Sequence, residues 1–388
     1  ATCLYLLQRC LTLEGQHSRR EFRTSISGLR AEVQTQLSHT WVLGAQSSSF
    51  TAMTPSGLGA QSWTRSAPKS RGSAPNRRQA EPMPSIPTIH VIGTGGTIAG
   101  AGSSTTTAAY ESGRVDASDL VVAVEGLNQV AEVRTETLFA TGSENLGPIQ
   151  WRRLARRIKA LTETADIDGV IVTHGTDTLE EAAFFLDLVC KPKKPVVLTA
   201  AMRPSTALSA DGPANLFQAA LTVVSPQLRD HGILIAMNGL VFPGWQALKT
   251  DSVALDSFRA YPGGPVGRIS GERLLVFGGP SRSPLAGRFH EHLRNENELP
   301  HVDLVLLRGG CGVRTLDDWG RTACKGLVIA GFGAGTMPDS LVAQITGMVR
   351  SDCVVVVSSR VSQVTVMPET MTPVQGDNVV PSGILNPQ

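Results

Sequence analysis

The 388-residue sequence has no run approaching the ~18–20 apolar residues that a membrane-spanning helix needs. It has no C-x-x-C pair. Its six cysteines, Cys3, Cys10, Cys190, Cys311, Cys324 and Cys353, are scattered, which suggests neither a zinc site nor a disulfide framework. The 39 glycines follow no G-X-Y repeat, so a collagen-like chain is excluded. Residues 1–85 contain no Asp at all. Of the 35 Lys/Arg and 33 Asp/Glu, that stretch holds ten and four, leaving 25 basic and 29 acidic residues for the remainder. No basic domain is left to grip nucleic acid. What is present is a 41% hydrophobic content, too high for a disordered protein, on a chain long enough for two ordinary domains.

The first 85 residues do not read as a domain. They carry 21 Ser/Thr, repeated Arg and no sustained hydrophobic period. "SSSFTAMTPSG" and "SAPKSRGSAPNRRQAEPMP" have the composition of an unstructured linker. An Arg- and Ser-rich, acid-poor leader fits an organellar transit peptide or an upstream translation artefact, with Met83 standing just before the first strand pattern. "CLYLLQRCLTL" is short and interrupted by Gln8 and Arg9, so a secretory signal is the weaker reading. The expected compartment is cytoplasmic or organellar rather than secreted.

From Ile86 onward the pattern becomes α/β. "TIHVIG", "GVIVTHG", "PVVLTAA", "GILIAMNG", "VDLVLLRGG", "GLVIAGFG" and "CVVVVSS" are short apolar runs, most ending in Gly, Thr or Ser. Runs apolar on both faces suit a buried parallel sheet. Helical patterns lie among them: "IQWRRLARRIKALTE", "TLEEAAFFLDLVC", "GPANLFQAALTVV" and "PDSLVAQITGMV". This alternation predicts a larger doubly wound sheet domain over 86–274, a linker over 275–297 and a smaller α/β domain over 298–388. Ligands of such sheets bind beyond the carboxyl ends of the strands, where the Gly/Thr/Ser clusters fall.

Four clusters stand out there. Gly93-Thr94-Gly95-Gly96-Thr97-Ile98-Ala99-Gly100 follows a strand but lacks both the Lys-Ser/Thr of a P-loop and the G-x-G-x-x-G spacing of a dinucleotide site. It offers hydroxyls on a slim backbone whose N–H groups can surround an anion, or it is simply a tight turn. Thr173-His174-Gly175-Thr176-Asp177-Thr178-Leu179-Glu180-Glu181 spans a strand end and a helix start. Thr176 or Asp177 could cap that helix, with Glu180 or Glu181 completing a capping box. His174 could be a base or a structural histidine, and Asp177 could hold an ammonium. The third cluster is Ala201-Met202-Arg203-Pro204-Ser205-Thr206 with Ala210-Asp211-Gly212-Pro213. The fourth, Lys249-Thr250-Asp251, taken alone reads as a solvated charge pair.

Together the clusters resemble the bacterial-type (type II-like) L-asparaginase family, including its glutaminase-asparaginases. The resemblance covers about Ile89 to Gln388 and rests on "TGGTIAG" with "THGTDTLEE", supported by "AMRPST", "SADGPANL", "SSRV" and "SGILNPQ". It implies hydrolysis of L-asparagine to L-aspartate and ammonia through an acyl-enzyme, with no metal or cofactor. It places the nucleophile at Thr97, its partner on a mobile loop at Tyr110, and a second catalytic group at Thr176, Asp177 and Lys249. Substrate binding falls to Ser143, Glu144, Thr176, Asp177 and Ala201. Glu144, in place of Gln, and Thr336, in place of Asn, imply secondary L-glutaminase activity. A homo-oligomer built as a dimer of dimers is also implied, with no nucleic-acid or membrane partner.

Two features depart from the family pattern. Its late carboxylate falls at Met371 here, with Glu369 two residues earlier, and the sequence stops at Gln388 before the family's terminal helix. They motivate an alternative, a catalytically inactive relative that acts as a binding or assembly protein. An oxidoreductase with a nucleotide cofactor fits poorly, because the glycine spacing is wrong.

Overall fold

The computed structural model describes residues 86–388 apart from 108, 280, 295–298, 312–324, 351–352 and 377. The expected leader over 1–85 and the last residues of the expected linker lie outside the described residues.

The first strand, β1 (Thr88–Gly95), enters a region of two short helices, α1 (Ala117–Val122) and α2 (Leu127–Val130). Then follow β2 (Glu132–Thr141), α3 (Pro148–Glu163), β3 (Gly169–Thr173), α4 (Leu179–Val189), β4 (Val196–Thr199), α5 (Gly212–Val223) and β5 (Ile233–Met237). A run of short strands completes the first part: β6 (Leu240–Pro243), β7 (Ala247–Lys249), β8 (Phe258–Ala260), β9 (Gly267–Ser270) and β10 (Arg273–Val276). The second part holds β11 (Val302–Leu306), β12 (Gly326–Gly331), α6 (Asp339–Arg350), β13 (Val354–Ser359) and β14 (Val379–Pro381).

Eight strands make the large sheet, in the order β10-β9-β6-β5-β4-β3-β1-β2. The five from β2 to β5 are parallel, and β6, β9 and β10 join antiparallel. The sheet is therefore mixed, with a parallel core. From β1 the chain adds β2 on one side, then returns to add β3 on the other. That reversal is the topological switch point of a doubly wound sheet, and it lies between β1 and β3.

Side-chain alternation explains the layers. Ile92, Val170, Val172 and Leu198 point to one face, where Leu154 and Ile158 of α3 and Leu179 and Phe185 of α4 cover them. Ile89, Val91, Ile171 and Val197 point to the other, under Leu120, Leu127 and the Leu216 face of α5. α3 starts with Pro148, whose fixed φ suits a first helical position. Its apolar residues Trp151, Leu154, Ala155, Ile158 and Leu161 then recur at helical spacing.

The second sheet is parallel throughout, in the order β11-β12-β13-β14, with its own core around Leu327, Ile329, Leu341, Ile345 and Val355. The segment expected to be linker from 275 starts inside β10, and its later part packs on the large sheet's helical layer. The Gly287 and Phe289 N–H groups donate to Asp187 and Leu188 carbonyls at 2.9 and 3.0 Å, and Leu285, Phe289 and Leu293 are buried. The sequence pattern broke there because short strands and single anchoring side chains have no periodicity to detect.

Candidate active site

Four adjacent parallel strands, β4, β3, β1 and β2, end on the same edge of the large sheet. Gly93 faces Thr173 and Thr173 faces Thr199 across the ladder, so the loops after these strands emerge side by side. Ala201, Thr176 with Asp177, Thr97, and Ser143 with Glu144 are thereby gathered from positions far apart in sequence. Lys249 arrives from outside the sheet, at the end of β7 in a two-stranded ribbon with β8.

The loops meet backbone to backbone. Gly96 has φ 76°, and a Cβ there would lie 2.3 Å from Gly175 Cα, so neither loop could approach the other with a side chain at 96. A Cβ on Gly175 would lie 2.6 Å from Ser143 Oγ. Thr94 Oγ1 donates to Thr173 O at 2.9 Å and locks the two strand ends together. The glycines of "TGGT" and "THGT" thus serve close approach, which is more than the tight turn the first cluster alone suggests.

Two hydroxyls then carry dedicated partners. Thr97, half-buried in a single turn of 3-10 helix (Thr97–Ala99), has its Oγ1 2.8 Å from Tyr110 Oη. Thr176, 5% exposed, accepts a hydrogen bond from Lys249 Nζ at 2.9 Å. The same ammonium lies 2.6 Å from Asp177 Oδ1. The pairing of Lys249 with a partner 72 residues earlier replaces the solvated Lys249–Asp251 pair that local reading suggests. Asp251 instead accepts the Val253 and Ala254 N–H groups at 2.7 and 2.8 Å, which hold its carboxyl below the usual range.

Ser143 is buried, and its Oγ accepts the Asp177 N–H at 3.2 Å while its carbonyl accepts Thr178 Oγ1 at 2.8 Å. Its hydroxyl proton remains available to an acceptor in the site. Glu144 is exposed and takes a hydrogen bond from Asn145 Nδ2 at 3.1 Å. Ala201 is fully buried, and the backbone that follows it is fixed by Asp211, which accepts the Met202 and Arg203 N–H groups at 3.0 and 2.9 Å. Asn215 Nδ2 donates to both Asp211 and the Ala200 carbonyl. These supporting roles were not read from the sequence; the "SADGPANL" string held both residues, but a brace on a loop leaves no spacing signature.

His174 is structural. It is fully buried, its Nδ1–H donates to Gly175 O at 2.8 Å, and burial pushes its pKa down to about 4. The helix-capping reading of the second cluster also changes. Thr178 occupies the N-cap without a side-chain cap bond, and Glu180 turns instead to the Lys249 backbone N–H. Burial lifts the Glu180 carboxyl to about 7. Met371 packs against the small sheet's core, whereas Glu369 is exposed on that part of the chain. Thr336 folds its hydroxyl onto the Phe332 carbonyl at 3.2 Å.

A cleft of about 600 Å3 opens beside Asp177 and Lys249 and is also lined by Leu306 and Ser359 of the second sheet and by Arg360, which follows β13. Among the described residues no group of three or more His, Cys, Asp or Glu is arranged to hold a metal ion. No helix among them is long and apolar enough to cross a membrane.

Comparison with known proteins fits this arrangement. The family model "Asparaginase, N-terminal" matches residues 88–282, and "Glutaminase/Asparaginase C-terminal domain" matches residues 301–388. The chain is 34% identical over 328 residues to L-asparaginase 2 of Bacillus subtilis, covering 84% of this chain and 86% of that protein. It is 36% identical over 306 residues to L-asparaginase 2 of Escherichia coli, covering 78% and 86%. The glutaminase-asparaginase of Pseudomonas fluorescens is 31% identical over 291 residues, covering 74% and 80%. A crystal structure of a probable cytoplasmic L-asparaginase from Campylobacter jejuni superposes with a TM-score of 0.68 at 33% identity, over 78% of this chain and 91% of that one. With both family models matched in order and relatives above 30% identity over most of its length, this chain belongs to the asparaginase family.

Proposed function

We propose that the protein hydrolyses the side-chain amide of L-asparagine to L-aspartate and ammonia, with Thr97 as nucleophile. The observation that carries this reading is the pair of partnered hydroxyls at the switch point: Thr97 with Tyr110 at 2.8 Å, and Thr176 with Lys249 at 2.9 Å. A threonine hydroxyl is a weak nucleophile at neutral pH and needs a proton acceptor in reach, which Tyr110 supplies. Attack of Thr97 Oγ1 on the amide carbon forms a C–O bond and an oxyanion. Backbone N–H groups of the abutting loops stabilise that charge, each such donor being worth ~3 kcal/mol. Collapse breaks the C–N bond, and the leaving nitrogen takes a proton to depart as ammonia. Water then adds to the ester through the Thr176–Lys249–Asp177 group and releases aspartate with the Thr97 hydroxyl restored.

Substrate recognition follows from charge and donors. The Asp177 and Glu144 carboxylates pair with the α-ammonium, and the free Ser143 hydroxyl proton meets the α-carboxylate. The Ala201 backbone faces the leaving amide. L-Glutamine is a slower substrate in this reading, and the active species is a homo-oligomer. Activity of a monomer at micromolar concentration, seen by sedimentation with assay of the same sample, overturns the assembly part.

The nucleophile is tested by Thr97→Ala. Its asparagine hydrolysis should fall by at least about 10³-fold with an unchanged melting temperature. Activity within tenfold of wild type removes Thr97 from the role.

A further inference from the structure

Lys249 is held at two points. Its Nζ meets Thr176 and Asp177, in the turn before α4. Its backbone N–H donates to Oε2 of Glu180, in the first turn of that helix. Asp177 and Glu180 are three residues apart, so one short segment grips both the tip and the root of the lysine. The root belongs to a short ribbon, with Ala247 and Leu248 buried and the Thr250 N–H donating to Ser257 O at 2.7 Å. β7 is three residues long and pairs only with β8, another three-residue strand, outside the large sheet. Glu180 is itself buried, at 9% exposure, and it lines both the cleft at Lys249 and a second small cavity formed with Phe184, Trp245 and Tyr261.

We propose that Glu180 is a positioning residue of the hydrolytic reaction: its carboxyl oxygen anchors the Lys249 backbone and so sets where the ammonium meets Thr176. The inference rests on the assignment of Thr176, Asp177 and Lys249 to proton handling. What it requires of Glu180 is an acceptor at a fixed reach, not a charge. The environment agrees, because burial disfavours the ionised form there, with Glu181 adding to that and Lys249 opposing it. The competing role is electrostatic. A carboxylate in the first turn of a helix favours the helix dipole whether or not it touches Lys249.

The two roles predict opposite variants. Glu180→Gln keeps an acceptor oxygen at the same reach and removes the charge. Glu180→Asp keeps the charge at the helix start but is one methylene too short for the Lys249 N–H. Displacement of a catalytic group by about 1 Å can cost on the order of 10²-fold. For the full chain with L-asparagine we therefore expect Glu180→Gln to keep kcat within about threefold. Glu180→Asp should lose about 30-fold or more in kcat with KM within about twofold, since Lys249 is not placed on the substrate. Equal kcat for Glu180→Asp and wild type overturns the anchor, as does a Glu180→Gln variant that falls as far as Glu180→Asp. Lys249→Ala, measured alongside, separates the two levels. If it keeps wild-type kcat, the proton-handling assignment fails and the anchor with it. If it is inactive while Glu180→Asp is not, only the anchor fails.

Discussion

Glu144 and Ser143 are neighbours on one turn, yet the site uses them differently. Ser143 is buried and already accepts the Asp177 N–H, so its geometry is fixed before any substrate arrives. Glu144 is exposed, with only Asn145 Nδ2 nearby, and its carboxylate lies back over Gly142, where a Cβ would meet Oε1 at 2.2 Å. Reaching a substrate ammonium would exchange the exposed Asn145 bond for a charged one. A carboxylate grips an ammonium more strongly than a neutral amide does. In the proposed reading, firm anchoring of the amino-acid head would leave the site tolerant of one extra methylene, a difference that by itself discriminates by only ~1–3 kcal/mol. Glu144→Gln should thus lower the glutamine-to-asparagine ratio of kcat/KM by about tenfold. An unchanged ratio would show that Glu144 does not set substrate range.

At the scale of elements, the segment that carries Tyr110 has a tied base and an exposed tip. Ala101 and Glu111 pair as an antiparallel bridge at 3.1 and 3.0 Å and close its base. One flank is tied to the third cluster: Ser205 donates to Gly100 O at 2.8 Å, and Gly102 N–H to Thr206 Oγ1 at 3.0 Å. Residues 103–107 are exposed but carry a third tie, the Leu208 N–H donating to Thr105 O at 2.9 Å, and Tyr110 itself is 39% exposed. A Cβ on Gly100 would lie 2.6 Å from the Tyr110 ring, so that glycine makes the seat for the ring rather than a hinge. If the segment acts as a lid, closure over substrate has to give up the Thr105–Leu208 bond while the base stays put. Bound aspartate should slow amide hydrogen exchange at 103–107 and leave α3 unchanged; equal rates with and without aspartate would remove the lid. The same scale decides what could be read in advance. β3 and β4 are apolar on both faces and were legible, as was α3 by its period. β2 was not: as an edge strand it carries Glu132, Arg134 and Glu136, and nothing in "EVRTETLFAT" demands burial. Strands of three or four residues such as β7 leave too few positions to reveal a period, so Lys249 looked like part of a loop.

For the whole molecule, the two parts of the chain meet at contacts that include Tyr261 Oη and Thr365 Oγ1 at 2.7 Å, and the cleft beside Lys249 lies at that meeting. A group whose titration bears on stability lies in the buried layer of α4. Asp187 is 1% exposed there, between the Ile233 N–H, Ser283 and Arg282, and burial lifts its carboxyl from 3.8 to about 7. Between those two values the folded protein holds a proton that the unfolded chain has released. Unfolding then loses a proton, so stability falls as pH rises through that window. Glu180, lifted from 4.5 to about 7, acts in the same direction. His174 acts oppositely: its folded value of about 4 against 6.5 means the unfolded chain holds the extra proton, and stability falls as pH falls. The three effects overlap between about pH 4.5 and 6.5, so the wild-type profile alone cannot apportion them. Asp187→Asn can, because its amide oxygen still accepts the Ile233 N–H while the titration is gone. The stability of the variant relative to wild type should improve steadily from pH 4 to 7 and level off above, measured as urea midpoints with matched slopes. Parallel profiles for the two proteins would mean that Asp187 does not hold its proton in the folded state.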